Sequence, residues 1–246
     1  MNQKKSKKQE YNNFSSIAKE WWKPQGKFRI LHKILPIRID YILNKIDYKK
    51  IKKLEILDLG CGGGLTCEPL ARLGASVTGV DFVEENIKVA KNHAIQSNLN
   101  ISYFHNDIDS IKIKKKYDVI LILEVLEHLD NWESLIKKIK KNLKPKGKVV
   151  FSTINKTQLA RITSIFIAEN ILNWVPKNTH DYNKLIKPED LIKVLKKNNF
   201  KIKNIKIIPV RFLKRIKPKG DKPNSLIIIG TVILTFIFAL CDNPLP

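Results

Sequence analysis

Between residues 54 and 154, short apolar runs alternate with longer segments whose apolar residues recur with helical spacing. Apolar runs of this length are typical of buried strands, and intervening helices make successive strands parallel. We therefore predict an α/β fold with a Rossmann-like, doubly wound, mostly parallel sheet covered on both faces. The predicted strands are LEILDL, SVTGVD, ISYFHND, YDVILIL and KVVFSTI, and helices are predicted over 66–73, 84–97 and 131–143.

The segments on either side of this pattern differ in character. Residues 1–13 are basic and lack the apolar stretch of a secretory signal, so we expect a disordered basic tail there. Residues 14–213 are predicted to form one domain, opening with a helical extension. An apolar helix over 158–174 is expected at the ligand end of the sheet, where it could be a lid over the pocket or lie in a membrane interface. A helix that begins at Pro188 and a sixth strand, FKIKNIKIIPV, follow.

Residues 214–246 are basic at first and then apolar. The run from Leu226 to Cys241 carries no charge and follows the basic stretch KRIKPKGDK. A membrane-spanning helix needs roughly 20 apolar residues, so this run is slightly short. Two interpretations remain open: one or two buried strands, or a membrane-inserting tail whose positive flank stays on the cytoplasmic side.

The stretch DLGCGGG joins the first predicted strand to the first predicted helix. Its spacing is Gly60-x-Gly62-x-Gly64. Leu65 stands where the dinucleotide fingerprint needs a third small residue, and the Gly-Lys-Ser/Thr of a Walker loop is absent. The loop therefore provides poorly for a pyrophosphate or a triphosphate. We predict a cofactor without phosphate, approached closely by the glycine backbone.

Three acids accompany this loop at strand ends. Asp81 ends the second strand, 21 residues after Gly60, where a carboxylate can accept hydrogen bonds from both hydroxyls of a ribose. Asp107 ends the third strand and can meet an adenine edge, and Asp58 can orient the loop or accept from an amino group. Each acid alone could simply cap a loop. Together they favour a cationic nucleoside such as S-adenosylmethionine.

A second constellation, EVLEH, directly follows the fourth strand. If a helix begins there, Glu124, Glu127 and His128 fall at i, i+3 and i+4 on one face. Such a set could hold a divalent cation that prefers oxygen ligands, or position a cofactor and a substrate hydroxyl by hydrogen bonds. A third interpretation is an acidic helix start without further function.

The net charge of +23 has three explanations. Lysine outnumbers arginine 40 to 6, although arginine is preferred for bidentate phosphate and base contacts, so nucleic acid is the least favoured partner. A solvated surface and attraction to anionic lipid remain open. Three cysteines form neither a disulfide framework nor a metal-ligand spacing, which indicates a reducing, cytoplasmic setting.

These residues resemble the bacterial ubiquinone-biosynthesis O-methyltransferases, a branch of the class I methyltransferases with a seven-stranded sheet. The matching stretches include EWW, the Arg38 segment, ILDLGCGGG, VLEHLDN, FSTINKT and WVPKNTHDYNKLIKP. The resemblance implies that Arg38, Gly60, Asp81 and Leu123 contact S-adenosylmethionine, with Arg38 on its carboxylate. It also implies Glu124, Glu127 and His128 as a magnesium site. The chain departs from the family after residue 210.

The resemblance further implies methylation of polyprenyl phenols and catechols, namely 2-polyprenyl-6-hydroxyphenol and 3-demethylubiquinol. A phenol has a pKa of about 10, so the enzyme must help to form the nucleophile. Bound magnesium could lower that pKa, or His128 could act as general base; Glu124 and His128 are the predicted catalytic residues, and His180 could contact the substrate ring. Implied partners are an anionic membrane surface, at the inner face of the cytoplasmic membrane, and other ubiquinone-biosynthesis enzymes. The alternatives are a methyltransferase of another small phenol or acid, an RNA methyltransferase, and a non-catalytic member.

Overall fold

Seven strands form one sheet in the order β3-β2-β1-β4-β5-β7-β6. The computed structural model describes residues 3–108, 111, 113–154, 185–216 and 227–243. The strands are β1 Glu55–Leu59, β2 Ser76–Asp81, β3 Ser102–His105, β4 Tyr117–Leu123, β5 Leu143–Ile154, β6 Lys201–Ile216 and β7 Ile227–Asp242. The helices are α1 Gln3–Ile17, α2 Arg29–Lys45, α3 Cys67–Arg72, α4 Glu84–Gln96, α5 Trp132–Lys140 and α6 Pro188–Lys197, and short 3-10 helices span Ala18–Glu20, Tyr48–Lys53 and Leu126–His128.

The first five strands run parallel, as the apolar pattern predicts. Residues of α2, α3 and α4 pack on one face of the sheet, and residues of α5 and α6 pack on the other. Strand order reverses between β1 and β4, which places a crevice at the carboxyl ends of these strands. The predicted doubly wound α/β fold is confirmed.

Local chemistry explains where several helices begin. The Asn131 side chain accepts a hydrogen bond from Ser134 N and caps α5. Helix α6 begins at Pro188, whose missing N–H costs nothing in the first turn, with acids in the next two positions. The amide preceding α4, Val83 N, donates to Asp81 Oδ1 at 2.9 Å. The strand β2 and the helix α4 are therefore tied together at the carboxyl edge of the sheet.

The N-terminal segment differs from its predicted state. Residues 3–17 form the helix α1 instead of a disordered tail, so that prediction is wrong for 3–13. The segment is rich in charge and has little apolar surface of its own. Its contacts with the domain supply the stabilisation: Tyr11 packs edge-on against Phe82 and donates to Glu85, and Lys7 pairs with Asp107 at 2.7 Å.

The C-terminal apolar run forms β7, which decides between the two interpretations in favour of a strand. β7 pairs antiparallel with β5 on one side and with β6 on the other. Strand β6 runs to Ile216, beyond the predicted end at residue 210. No helix in the described part of the chain combines the length and apolar composition needed to cross a bilayer. The predicted helix over 158–174 and His180 lie outside the described residues.

Candidate active site

The glycine loop lies at the carboxyl end of β1, as predicted, but protein side chains approach it closely. Gly60, Gly62 and Gly64 have positive φ angles of 79°, 53° and 87°, which an L side chain rarely adopts. A Cβ added to Gly62 or Gly63 would overlap the indole of Trp21. The contacts of the loop described here are with protein side chains. The predicted approach of a cofactor to Gly60, Gly62 and Gly64 stays a prediction.

Two adjacent tryptophans hold the loop in place. Trp21 stacks on Phe28 with ring centroids 3.7 Å apart, and its Nε1 donates to Asn86 Oδ1 at 2.7 Å. Trp22 Nε1 donates to the carbonyl of Gly63 at 2.9 Å, and its ring stacks on His93. The sequence reasoning used EWW only as part of a resemblance and assigned neither residue a role. The adjacent pair of tryptophans is itself a signal, because an indole N–H that is removed from water needs a hydrogen-bond partner.

Asp81 connects the loop to α4. Its Oδ2 accepts from Gly62 N at 2.9 Å, and its Oδ1 accepts from Val83 N at 2.9 Å and from the Asn86 amide at 3.2 Å. Burial raises the pKa of Asp81, and these three hydrogen bonds oppose the shift. A carboxylate has about four acceptor positions, so three internal bonds leave room for a ligand hydroxyl. The ribose contact of Asp81 stays a prediction.

Arg38 projects from α2 into a cluster of acids and is only 4% exposed. Its Nη2 pairs with Glu124 Oε2, and its Nη1 donates to Thr66 Oγ1 at 3.4 Å. Burial lowers the pKa of Arg38 to about 10, against the opposing charges of Asp58 and Glu127. Its Nε has no hydrogen-bond partner among the described residues. The guanidinium therefore retains donor capacity inside the protein.

Asp58 lies beside this cluster at the end of β1. Burial raises the pKa of Asp58 to about 6, while a hydrogen bond from Cys67 Sγ at 3.3 Å and the charge of Arg38 oppose the rise. Its position fits the predicted role in orienting the loop. Leu123 is buried at the end of β4, next to the ion pair of Arg38 and Glu124.

Asp107 points away from this cluster. Its side chain is 40% exposed and pairs with Lys7 of α1. The neighbouring amide, Asn106 N, donates to the carbonyl of Asp81 at 2.9 Å. The structure thus brings Arg38, Asp58 and the glycine loop together and leaves the Asp107 carboxylate at the rim. Its contact with an adenine stays a prediction.

The predicted magnesium ligands do not converge in the structure described, and magnesium binding by them stays a prediction. Glu124 Oε1 accepts from Ser152 Oγ at 2.6 Å while Oε2 pairs with Arg38. Glu127 Oε2 accepts from Thr153 Oγ1 at 2.9 Å. His128 Nδ1 pairs with the Glu10 carboxylate. In the described part of the chain, no group of three or more His, Cys, Asp or Glu residues could hold a metal ion.

The backbone explains this divergence. The prediction assumed a helix from Glu124 onward, but Glu124 has a φ of 51° and the 3-10 helix begins only at Leu126. Glu124 is therefore turned toward α2 instead of sharing a helix face with Glu127 and His128. A non-glycine residue at positive φ is uncommon and often marks a functional site.

Helix α1 covers His128, the last of the three predicted magnesium ligands. Glu10 reaches His128 Nδ1, and the Phe14 ring packs edge-on against the imidazole with centroids 5.8 Å apart. His128 is thus held by the carboxylate of Glu10, from the segment predicted to be disordered, and by the ring of Phe14, the first residue of the predicted domain. The role of Glu10 was not predicted from the sequence, because no residue near it in the chain indicates that its carboxylate pairs with His128.

Comparisons with known proteins give one consistent picture. The sequence profile of a methyltransferase domain matches residues 31–205. The ubiquinone biosynthesis O-methyltransferase of Rickettsia felis is 43% identical over 201 residues, covering 81% of this chain and 82% of that protein. The protein of the same name from Pelagibacter ubique is 46% identical over 206 residues, covering 80% and 86%.

Solved structures show the same fold. The magnesium protoporphyrin IX methyltransferase of Synechocystis, solved with bound SAM, superimposes with a TM-score of 0.59 at 17% identity, over 94% of this chain and 96% of that one. The YcgJ protein of Bacillus subtilis gives a TM-score of 0.62 at 13% identity, over 87% and 100%.

Proposed function

The chain belongs to the ubiquinone biosynthesis O-methyltransferases, S-adenosylmethionine-dependent enzymes, and we propose that it methylates 2-polyprenyl-6-hydroxyphenol and 3-demethylubiquinol. Both acceptors present a phenolic oxygen beside a second oxygen. The observation that carries the site assignment is the buried Arg38, paired with Glu124 beside the glycine loop and still holding unused donor capacity. A methylation assay on a short-chain demethylubiquinol tests the substrate.

The side chains around Arg38 fit the cofactor. When bound, S-adenosylmethionine would supply the methyl group of its sulfonium to an oxygen nucleophile by in-line attack, with S-adenosylhomocysteine as the leaving group. Arg38 would hold its carboxylate through the Nε and Nη donors, Asp81 its ribose, and Leu123 would pack on its adenosine. Glu124 competes for the same guanidinium in the structure described. We propose that Arg38 exchanges the Glu124 carboxylate for that of the cofactor.

His128 is the proposed general base, oriented by Glu10. When the Nδ1–H group donates a hydrogen bond to the Glu10 carboxylate, the unprotonated Nε2 is the nitrogen that can accept the phenolic proton. The carboxylate also stabilises the imidazolium that forms. Phe14 fixes the plane of the ring and excludes water from one side. His128 is then the catalytic residue and Glu10 the positioning residue.

Replacing Glu10 with Gln is expected to lower kcat by about tenfold or more, because an amide can orient the imidazole but cannot stabilise its charged form. KM for S-adenosylmethionine should stay unchanged. The acid limb of the pH–rate profile should move to lower pH, because the imidazolium loses its charge partner. Steady-state kinetics between about pH 6 and 9 measure both effects.

Two further variants make this test decisive. Glu133→Gln, an exposed acid of α5, should leave the profile unchanged. His128→Gln should lower kcat at least as far, and its residual rate should show no acid limb. If Glu10→Gln leaves both kcat and the acid limb unchanged while His128→Gln loses most of its kcat, the positioning role of Glu10 is refuted.

The magnesium ion implied by the family resemblance does not fit the residues as they are arranged. Glu124, Glu127 and His128 each engage a different protein partner, so the proposed chemistry uses no metal step. We expect chelator-treated enzyme to retain its kcat and added magnesium to leave it unchanged, as measured by initial rates. Loss of activity on chelation and recovery with magnesium would contradict this and would mean that Glu124 and Glu127 reorient when ligands bind.

A membrane surface is the proposed setting of the reaction. A polyprenyl substrate partitions into bilayers, so the enzyme must reach the bilayer surface to collect it. The net charge of +23 supports attraction to anionic lipid, worth about 1 kcal/mol for each basic residue near the surface. We therefore propose a cytoplasmic enzyme that binds peripherally to the inner face of the cytoplasmic membrane. Association with other ubiquinone-biosynthesis enzymes is a further proposal that rests on the family alone.

A further inference from the structure

Two consecutive carbonyls of the glycine loop are bound by residues outside the loop. The carbonyl of Gly63 accepts a hydrogen bond from Trp22 Nε1 at 2.9 Å, and the carbonyl of Gly64 accepts one from Glu68 N at 3.1 Å. Trp22 lies between the first 3-10 helix and α2, and Glu68 lies in the first turn of α3. Glycine has more backbone freedom than any other residue, so bonds of this kind decide which conformation the loop holds.

The side chains of Trp22 and Glu68 are joined by His93 of α4. The imidazole of His93 stacks on the indole of Trp22, with ring centroids 3.5 Å apart and an angle of 2° between the planes. Its Nδ1 lies 2.5 Å from Glu68 Oε1. An ionised carboxylate can only accept, so Nδ1 carries the proton of this short hydrogen bond. The three residues Trp22, His93 and Glu68 are called the loop clamp.

Glu68 is the buried end of the loop clamp. Its side chain is 2% exposed, whereas that of His93 is 29% exposed. Arg72 pairs with the second carboxylate oxygen, Oε2, at 3.3 Å, and its own side chain is 54% exposed. A carboxylate removed from water is stable only with partners for both oxygens. Glu68 therefore provides a fixed point to which the imidazole is attached.

His93 acts on the loop through the indole. Among the described residues, the hydrogen-bond and ring partners of the His93 side chain are Glu68 and Trp22, so it reaches the glycines through them. A hydrogen bond weakens steeply when the donor turns away from the acceptor. The imidazole covers one face of the indole and keeps the plane in which Nε1 points at the Gly63 carbonyl.

The position of the loop clamp connects it to ligand binding. The clamp holds the carbonyls of Gly63 and Gly64, while Asp81 holds the amide of Gly62. A loop that is already held in one conformation loses less entropy when a ligand binds to it. Contacts that only stabilise the fold would change the melting temperature alone, whereas contacts that hold this loop should also change the affinity for the cofactor.

We propose that His93 and Glu68 are positioning residues of the cofactor site: they hold the Trp22 indole on the Gly63 carbonyl and thereby raise the affinity of the glycine loop for S-adenosylmethionine. The proposal rests on the proposed approach of the cofactor to this loop. It assigns the loop clamp to binding of the methyl donor and leaves the acceptor and the general base His128 unaffected.

Titration calorimetry of the full chain with S-adenosylhomocysteine tests this role. His93→Gln should raise the Kd by roughly 3- to 10-fold, the contribution of one hydrogen bond. The imidazole is partly exposed, so the variant should fold. In steady-state kinetics, the KM for S-adenosylmethionine should rise by a similar factor, while kcat at saturating cofactor stays within about twofold of wild type. Arg72→Gln is the matched control: it leaves Glu68 Oε1 paired with His93 and should not change the Kd.

A double-mutant cycle shows whether His93 acts through the indole. Trp22→Phe keeps a ring on which His93 can stack but removes the N–H donor to Gly63, so it should also raise the Kd. With that donor gone, His93→Gln should add little further loss. Losses that multiply in the double variant overturn the proposal. So does a His93→Gln variant with a lower Tm and a wild-type Kd, because that result assigns His93 to stability alone.

The binding measurement is independent of the acceptor. If the variants change the Kd as expected but wild type methylates no polyprenyl phenol, only the proposed substrate fails. If wild type methylates demethylubiquinol and His93→Gln keeps the wild-type Kd, only the positioning role fails.

Discussion

Replacing Arg38 with Gln is expected to weaken S-adenosylmethionine binding by roughly 30- to 1,000-fold, about 2–4 kcal/mol. The guanidinium of Arg38 is buried, pairs with Glu124 and still has an unpaired Nε that can bind the cofactor carboxylate. No other donor in the described cluster replaces it. Titration calorimetry with the apo enzyme measures the loss. Thermal unfolding of the same variant shows how much of it comes from leaving the Glu124 carboxylate without its partner.

Glu124→Gln is the matched variant for this experiment. It removes the acid that competes for Arg38, so cofactor affinity should stay equal or rise while Arg38→Gln lowers it. Arg72→Gln serves as a charge control, because Arg72 is half-exposed and pairs with Glu68 away from the site. Wild-type affinity in Arg38→Gln would contradict the assignment of Arg38. A loss in Glu124→Gln as large as in Arg38→Gln would contradict the proposed exchange of carboxylates.

Gly63→Ala is expected to destabilise the protein by roughly 2–3 kcal/mol and to abolish most activity, because its Cβ would overlap the indole of Trp21. For a domain of this size that corresponds to a fall in Tm of about 5–10 °C. The overlap also pushes the glycine loop away from the segment around Trp21, which covers it. Scanning calorimetry and initial rates on the same preparation measure both losses.

The contact with Trp21 can be isolated by a double-mutant cycle. In a Trp21→Ala background, the cost of Gly63→Ala should fall without vanishing. The ring atoms are gone and the φ of Gly63 is not in the left-handed region, but the Cβ of residue 21 still lies 2.5 Å from the added Cβ. Gly62→Ala should retain a cost of about 1 kcal/mol there, because its φ of 53° disfavours any side chain. Additive costs of Gly63→Ala and Trp21→Ala would show that the indole is not what the glycine accommodates.

The parallel core of this fold is predictable from sequence for a physical reason. Strands β1, β2 and β4 are buried and flanked by turn residues, so local apolar pattern and tertiary position agree. The same holds for the glycine loop, whose spacing between a strand and a helix requires positive φ angles. Arg38 was reached only through family resemblance, because nothing local marks one arginine of α2 as buried.

The remaining features depend on contacts between distant segments. Helix α1 has a charged sequence that predicts disorder, and its order comes from Tyr11, Phe14 and Lys7 meeting partners elsewhere in the domain. The side chain of Glu124 goes to Arg38 because its backbone leaves the helical region, which residue spacing does not reveal. The apolar run of β7 has the composition of both a strand and a membrane segment, and pairing with β5 and β6 decides between them.

The most direct test of the function is transfer of a labelled methyl group from S-adenosylmethionine to a short-chain 3-demethylubiquinol by the purified full chain. We expect a methylated product whose label lies on the phenolic oxygen, and little transfer to RNA or to small soluble phenols under the same conditions. Absence of label on the demethylubiquinol, with intact cofactor binding by calorimetry, would contradict the proposed function.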